Sequence, residues 1–159
     1  MTLFSFNPKT VLFDLKVTEI CRNCQRFGKC GTCPPNIPSM DYYQKLLPTY
    51  KNGILFVQMF CVEGTIWESS KDSSLAIFNA VNKERETLRK EGHYFISAFG
   101  AGSCKACDTC SVPCSAPENS IVPLEATGIN VVLLAEKFGI KIVFPVGRDF
   151  YRLGALFYD

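Results

Sequence analysis

The sequence predicts an α/β fold, a single domain whose mostly parallel or mixed sheet of about four to five strands is flanked by helices. Strand-like apolar segments alternate with segments of helical periodicity, an order typical of βαβ connections. The length of 159 residues suits one domain, 1–159, with one sizeable core. Apolar residues make up 47% of the chain and charged residues 20%, which favours a packed globule over a disordered chain.

The first half of the chain contains two predicted strands and two predicted helices. Residues 10–16 are β-branched and apolar and predict the first strand. Ser39 is placed to cap a short helix that ends near residue 47. Residues 54–60 are almost continuously apolar, as in a strand covered on both faces, and residues 74–91 show the clearest helical periodicity. The apolar side of this helix consists of Leu75, Phe78, Val81 and Leu88.

The second half of the chain supplies the remaining predicted elements. They are a strand at residues 94–99, a helical turn at 123–126, a helix at 130–138 and strands at 140–146 and 153–158. Cys21, Cys61 and Cys104 each follow soon after a predicted strand. Because the carboxyl ends of parallel strands meet at one edge of a sheet, we expect two cysteine-rich metal-binding loops at one sheet edge.

Nine cysteines are many for this length, and eight of them lie in two tight groups. We define the first group as Cys21, Cys24, Cys30 and Cys33, and the second group as Cys104, Cys107, Cys110 and Cys114. The odd total and the lack of a signal-peptide pattern in residues 1–10 argue against a disulfide framework. In a reducing compartment such clusters more often bind metal, so we predict a cytoplasmic metal-binding protein.

The spacing within each group predicts the kind of metal. The second group has the spacing C-x2-C-x2-C-x3-C, with which bacterial ferredoxin-type proteins hold four-iron clusters. The first group, C-x2-C-x5-C-x2-C, fits either a second [4Fe–4S] cluster or a small tetrahedral zinc site. We therefore expect [4Fe–4S] clusters, two of them if both groups bind iron. The ninth cysteine, Cys61, is interpreted as a small buried apolar residue.

Two partitions of the thiols remain open. In the simpler one, each group closes its own site. In two-cluster ferredoxins, however, the fourth cysteine typically precedes a proline and ligates the other cluster. Here Pro34 follows Cys33, whereas Ser115 follows Cys114. The alternative is therefore a crossed arrangement, in which Cys33 completes the second site and Cys114 completes the first.

Composition also bears on partners and on catalysis. A formal charge of +2 is too small to predict nucleic acid or an anionic membrane as a partner. No apolar run approaches the roughly 20 residues that cross a bilayer, so we expect no membrane partner. His93 is the single histidine, which disfavours a Ser-His-Asp triad and a two-histidine metal site.

Several blocks of the sequence resemble a family of predicted metal-binding proteins of unknown function. The first block runs from Cys21 to Cys33-Pro34-Pro35, and the second combines Gly102-Ser103-Cys104 with Cys107 and Cys110. Residues 124–131 and 135–139 resemble the C-terminal half of that family, so the likeness spans residues 10–158. It implies metal or iron–sulfur binding through the matched cysteines, in anaerobic bacteria and archaea. It implies no established reaction.

The pattern of that family, C-x2-C-x8-C-P-P, requires no cysteine at the position of Cys30, and this leaves several functions open. With full cysteine ligation, the chain is expected to transfer electrons to a redox partner protein. If Cys30 is not a ligand, one cluster has an open iron position, and the chain is expected to be an enzyme that acts on a small molecule. The third alternative is a zinc-stabilised interaction module.

Overall fold

The computed structural model describes residues 1–145 and 147–159, with the side chains of Ile66 and Trp67 outside the description. Its described residues form one five-stranded sheet with the strand order β1-β2-β5-β3-β4. The strands are β1 (Thr2–Phe6), β2 (Asn52–Cys61), β3 (Ile96–Gly100), β4 (Val122–Pro123) and β5 (Asp149–Tyr158). The predicted α/β class is confirmed.

The sheet is mixed, and most of its pairings are antiparallel. β1 pairs with β2, β2 with β5 and β5 with β3 in antiparallel fashion, and the short β4 pairs with β3 in parallel. The mixed sheet is thus confirmed, and a mostly parallel one is wrong. β2 and β3 run in the same direction because both are antiparallel to β5. The crossover between them has the predicted strand–helix–strand form, but β5 lies between its strands.

Four α-helices occur in the described residues, and none of them is long and apolar enough to cross a membrane. They are α1 (Leu15–Arg22), α2 (Met40–Leu46), α3 (Ile66–Lys90) and α4 (Val131–Glu136). The predictions of α2 and α4 are confirmed, and the Asn130 side chain accepts a hydrogen bond from the Leu133 N–H at 3.1 Å. α3 begins at Ile66, well before the predicted residue 74, because Thr65 and Glu68 form a capping box.

The prediction of a strand at residues 10–16 is wrong. This stretch contains the end of a short 3-10 turn, one isolated bridge from Phe13 to Ile129, and the start of α1. The Asp14 side chain accepts a hydrogen bond from the Lys16 N–H at 2.9 Å and so begins the helix. The first strand is instead β1, which the sequence analysis did not predict.

The predicted strand at residues 140–146 is also wrong for residues 140–145, since the structure shows no strand there; Val146 lies outside the described residues. Ile142, Val143 and Phe144 line a cavity and do not pair with the sheet. The apolar character of this segment therefore has a cause other than burial in a strand.

Two apolar cores cover the two faces of the sheet. Along β2, Leu55 and Val57 belong to one core and Phe56 to the other, so this strand is buried on both faces as predicted. α3 packs on the second face through Ile77, Val81 and Leu88, whereas Leu75, predicted on the apolar side, is exposed. Gly154 of β5 permits this close packing, since a Cβ there would lie 2.6 Å from Ile77 and 2.9 Å from the carbonyl oxygen of Phe99.

Candidate metal centre

The first cysteine group follows a helix and not a strand. Cys21 lies in the last turn of α1, so the prediction that it follows a strand is wrong. After α1 the chain makes successive turns, and the Gly28 N–H donates to the Pro34 carbonyl at 2.9 Å. This contact holds the segment folded back on itself and leaves Cys30 and Cys33 buried. The location of both cysteine loops at one sheet edge stays a prediction.

The second cysteine group lies between β3 and β4. The N–H groups of Ala106 and Ile121 point to Cys104 Sγ at 3.4 and 3.5 Å, and the Arg26 N–H makes the same kind of contact with Cys24 Sγ at 3.5 Å. Backbone N–H groups directed at sulfur stabilise thiolates and tune the potential of iron–sulfur clusters. The local backbone therefore suits thiolate ligands.

The two groups contact each other in space. A Cβ added to Gly31 would lie 2.8 Å from the Cβ of Cys114 and 2.9 Å from its Cα, so only glycine allows the two backbones to approach this closely. Cys30 lies near Cys110 of the second group, and Cys33 lies near Cys30, Cys24 and Cys21. Cys30 is thus the thiol that connects the two groups.

Burial and neighbouring thiols favour the protonated form of several cysteines. Burial, and then the nearby Cys30, Cys24 and Cys21, raise the pKa of Cys33 to about 12. The pKa of Cys30 is raised by burial and by Cys110, and that of Cys21 by burial, Glu125 and Cys24. Because a metal binds the thiolate, metal binding at these residues must release protons.

A small cavity lies among the thiols of the second group. Its volume is about 10 Å³, and it is lined by Thr32 and by all four cysteines of that group. The Thr32 hydroxyl is buried and has no hydrogen-bond partner among the described residues. A volume of this size admits about one water molecule, so a cluster at this position requires the loop to open around it. The unpaired hydroxyl is then a donor available to a sulfur atom.

Four cations from separate parts of the chain lie close together beside the thiols. Burial lowers the pKa of Lys105, and Arg26, Lys71 and Arg152 lower it further through charge repulsion. Among the described residues none of these four cations forms an ion pair. Arg26 also lies near Cys30, and Lys105 near Cys104. The resulting positive potential favours thiolates and other anions.

A much larger cavity, of about 630 Å³, opens beside the first group. Cys21 and Cys24 form part of its wall, together with α4, residues 141–145 and the first half of β5. Most of the other lining residues are apolar. The exceptions include Glu125 and Arg152, neither of which the sequence analysis identified.

Glu125 and Arg152 are held by specific contacts. Glu125 accepts a hydrogen bond from the Gly102 N–H at 3.0 Å, and burial raises the pKa of its carboxyl. Arg152 donates from Nε to Ser73 Oγ at 3.1 Å and from Nη2 to Ser70 Oγ. Ser70 and Ser73 both belong to the serine-rich first half of α3, so this part of the helix supplies both acceptors.

Cys61 stands apart from both groups. The prediction that it is buried is wrong, because it is exposed at the end of β2, where it pairs in register with Asp149. The nearby Asp149 carboxylate raises the pKa of its thiol. A strand-end position next to an acidic residue differs from the environment of the eight grouped cysteines.

The donor set fits a thiolate-bound metal centre. All nine cysteines, each of which the structure describes, are free. In the described part of the chain, no group of three or more His, Cys, Asp or Glu side chains is arranged so that it could hold a metal ion. The grouped thiols with their N–H donors and cations nevertheless match the soft ligands that iron–sulfur clusters and zinc prefer. Binding therefore involves a rearrangement of the cysteine segments.

Comparison with known proteins identifies the family. The family described as "Predicted metal-binding protein (DUF2284)" matches residues 5–157. No curated protein and no solved structure matches the chain. The match covers almost the whole sequence and includes both cysteine groups. The chain therefore belongs to this family of predicted metal-binding proteins.

Proposed function

We propose that this chain is a cytoplasmic iron–sulfur protein that holds two [4Fe–4S] clusters and transfers single electrons to a redox partner protein. The first cluster is held by Cys21, Cys24 and Cys33, and the second by Cys104, Cys107, Cys110 and Cys114. Cys30 is the fourth ligand of the first cluster. Bound clusters supply one-electron chemistry, and the protein supplies ligands, hydrogen bonds and charge.

The contact between the two groups is the observation that carries this proposal. Gly31 lies against Cys114, and Cys30 lies between Cys33 and Cys110. Two metal centres built on these thiols are therefore neighbours, as electron transfer between them requires. The geometry favours Cys30 over Cys33 as the residue that reaches the second group, so it gives less support to the crossed arrangement.

The charge distribution also supports clusters. A [4Fe–4S] centre with four thiolates carries net negative charge, and Arg26 and Lys105 lie beside Cys30 and Cys104. Cations beside the cysteine ligands stabilise thiolates and raise the reduction potential of a cluster. Free thiols of this kind persist in a reducing compartment, which is the reason for proposing the cytoplasm.

The second candidate function is an enzyme whose cluster has an open iron position. Its specific support is the place of Cys30 beside Cys110, which leaves Cys21, Cys24 and Cys33 as a three-thiol set. Cys21 and Cys24 also line the large cavity, so a small molecule there would lie next to this set. A zinc site at the first group remains the alternative if iron does not bind.

Cysteine-to-serine variants test whether the grouped thiols bind iron. Cys24→Ser is expected to lower the iron content and change the EPR spectrum of anaerobically purified protein, because it removes a ligand of the first site. Cys61→Ser is the matched control and is expected to change neither, since Cys61 lies outside both groups. Full iron content in Cys24→Ser would contradict the assignment.

Cys30→Ser separates the two candidate functions. Loss of one cluster in this variant supports full cysteine ligation and electron transfer. Unchanged iron content and EPR spectra show that Cys30 is not a ligand, which favours the enzyme with an open iron position. Because Cys30 is only 1% exposed, the far-UV circular dichroism of the variant is compared with that of Cys61→Ser to check its fold.

A further inference from the structure

The large cavity has the size and lining of a small-molecule site. Its volume of about 630 Å³ lies within the range of roughly 300–1,000 Å³ that ligand pockets occupy. Its cysteines account for only part of the wall. The remainder, contributed mainly by α1, α4, residues 141–145 and β5, is mostly apolar and carries no thiol.

Two of these walls are only partly packed against the rest of the protein. None of the eight residues of α1, all of which are described, is buried, although Val17 and Ile20 are apolar and face the cavity. Ile20 is 71% exposed, and Phe144, which also lines the cavity, is 67% exposed. Apolar surface left in water along one cavity is unfavourable, so an occupant with an apolar body would stabilise these lining segments.

Arg152 supplies a fixed polar group in the same cavity. Its Nε and Nη2 donate to Ser73 and Ser70, and its guanidinium carbon lies 5.3 Å from the centre of the Phe150 ring. These contacts fix the side chain and leave Nη1 with no hydrogen-bond partner among the described residues. A guanidinium held in this way is preorganised for an oxyanion.

The surrounding charge selects an anion. Arg152 lies near Lys105, and Lys71 and Arg26 lie near the same lysine. Glu125 acts on Arg152, and Asp149 and Lys141 also line the cavity, yet in the described part of the chain Arg152 forms an ion pair with neither carboxylate. The positive charge of Arg152 is therefore not neutralised by direct contact, and a bound carboxylate would neutralise it.

We propose that this cavity binds a small organic acid, whose carboxylate pairs with Arg152 and whose apolar part lies against α1 and residues 141–145. The proposal stands on the cavity and on Arg152, not on the clusters. It goes beyond the proposed electron-transfer function, and it names the ligand class for the enzyme alternative.

Isothermal titration calorimetry on the anaerobically purified protein tests the proposal with three six-carbon compounds. The binding of hexanoate is compared with that of hexan-1-ol and hexylamine. Hexanoate is expected to bind about tenfold more tightly than the alcohol, because only the carboxylate pairs with Arg152. Equal affinities for acid and alcohol, or no binding of hexanoate, would overturn the proposal. Iron analysis of the same sample separates this result from a failure of the cluster assignment.

Variants locate the binding. Arg152→Gln is expected to weaken hexanoate binding about tenfold. The control is Arg148→Gln, an exposed arginine of the same segment that does not line the cavity, and it is expected to bind normally. Normal binding by a folded Arg152→Gln protein would overturn the role of Arg152.

A second pair of variants keeps the test independent of Arg152 and its serine contacts. Val131→Phe on α4 fills part of the cavity and is expected to abolish binding, whereas Leu133→Phe on the same helix lies outside the lining and is expected to have no effect. If hexanoate binds both variants equally, it binds elsewhere and the proposal is wrong.

Discussion

The helices α1 and α3 show how differently the two parts of this molecule are stabilised. Both begin with a side-chain cap, Asp14 for α1 and Thr65 with Glu68 for α3. α3 buries Ile77 and Val81 completely against the sheet, whereas α1 buries none of its described residues and turns its apolar side to a cavity. The sheet and α3 thus form a core from their own side chains, while the cysteine-bearing part is proposed to depend on the metal that it binds.

The same substitution in the two helices gives the largest expected difference. Ile77→Ala leaves a cavity in a packed core and is expected to lower the free energy of unfolding by about 3–4 kcal/mol. Ile20→Ala removes a side chain that is 71% exposed and is expected to cost less than about 0.5 kcal/mol. Urea denaturation followed by circular dichroism measures both values. Similar losses in the two variants would show that α1 is packed as well as α3.

Removal of metal is expected to destabilise the cysteine-bearing segments and to leave the sheet and α3 unchanged. After chelation under anaerobic conditions, amide exchange in residues 15–36 and 102–121 is expected to rise about 100-fold, which corresponds to roughly 3 kcal/mol of local stabilisation. Exchange in β2, β5 and the buried turns of α3 is expected to stay slow, because these elements pack against each other through apolar side chains. Hydrogen exchange with mass spectrometry measures both. An equal loss of exchange protection in the cysteine segments, the sheet and α3 would contradict the proposal that only the cysteine segments depend on metal.

Gly154→Ala tests how closely α3 packs on the sheet. The added Cβ would lie 2.6 Å from Ile77 and 2.9 Å from a backbone oxygen that cannot rotate away, so we expect a loss of about 2 kcal/mol in the free energy of unfolding. Gly147→Ala is the control, since no described atom lies within 4 Å of its added Cβ. Its unfolding free energy is expected to change by less than about 0.5 kcal/mol. Equal effects in the two variants would argue against tight packing at Gly154.

The start of α3 has the smallest of these expected effects. Thr65→Ala removes the side-chain oxygen that accepts the Glu68 N–H at 3.2 Å, and is expected to cost about 1 kcal/mol. Ser39→Ala is the matched control, because Ser39 precedes α2 without a side-chain cap hydrogen bond. Thermal denaturation of both variants measures the difference. A loss of stability in Ser39→Ala as large as that in Thr65→Ala would contradict the capping role of Thr65.

The same variant has a pH signature. Hydrogen bonds from Thr65 hold the pKa of Glu68 below its usual range. A carboxyl with a lowered pKa in the folded state stabilises the fold above its ordinary pKa, and this contribution is lost as the pH falls through the lowered value. In Thr65→Ala the pKa of Glu68, followed by NMR titration, is expected to rise towards its ordinary value.

The elements with strong local signals were predictable. β2 was found from its continuous apolar run, and α4 from Asn130, whose side chain caps it. The start of α3 was missed because its serines looked like a loop, although Thr65 and Glu68 form a readable capping box. The strand prediction is wrong for residues 140–145 because apolar side chains that line a cavity, such as Val143 and Phe144, resemble those of a buried strand. The antiparallel insertion of β5 depends on pairings far apart in sequence, which no local pattern encodes.

The candidate site was predictable only in part. The spacing of the cysteines identified two groups, and the structure brings them into contact through Gly31 and Cys30. Arg152 and Glu125 were not found, because an isolated charged residue gives no sign that the fold places it beside a thiol or a serine. Their role depends on tertiary contacts with α3 and with the loop after β3.

Metal and sulfide analysis of the anaerobically purified chain of 159 residues tests the central claim most directly. The cysteine-bearing part is proposed to be completed by two clusters, so the account predicts about eight iron atoms and about eight acid-labile sulfides per chain. About one zinc per chain, with neither iron nor sulfide, would contradict it and would assign the thiols to a zinc site.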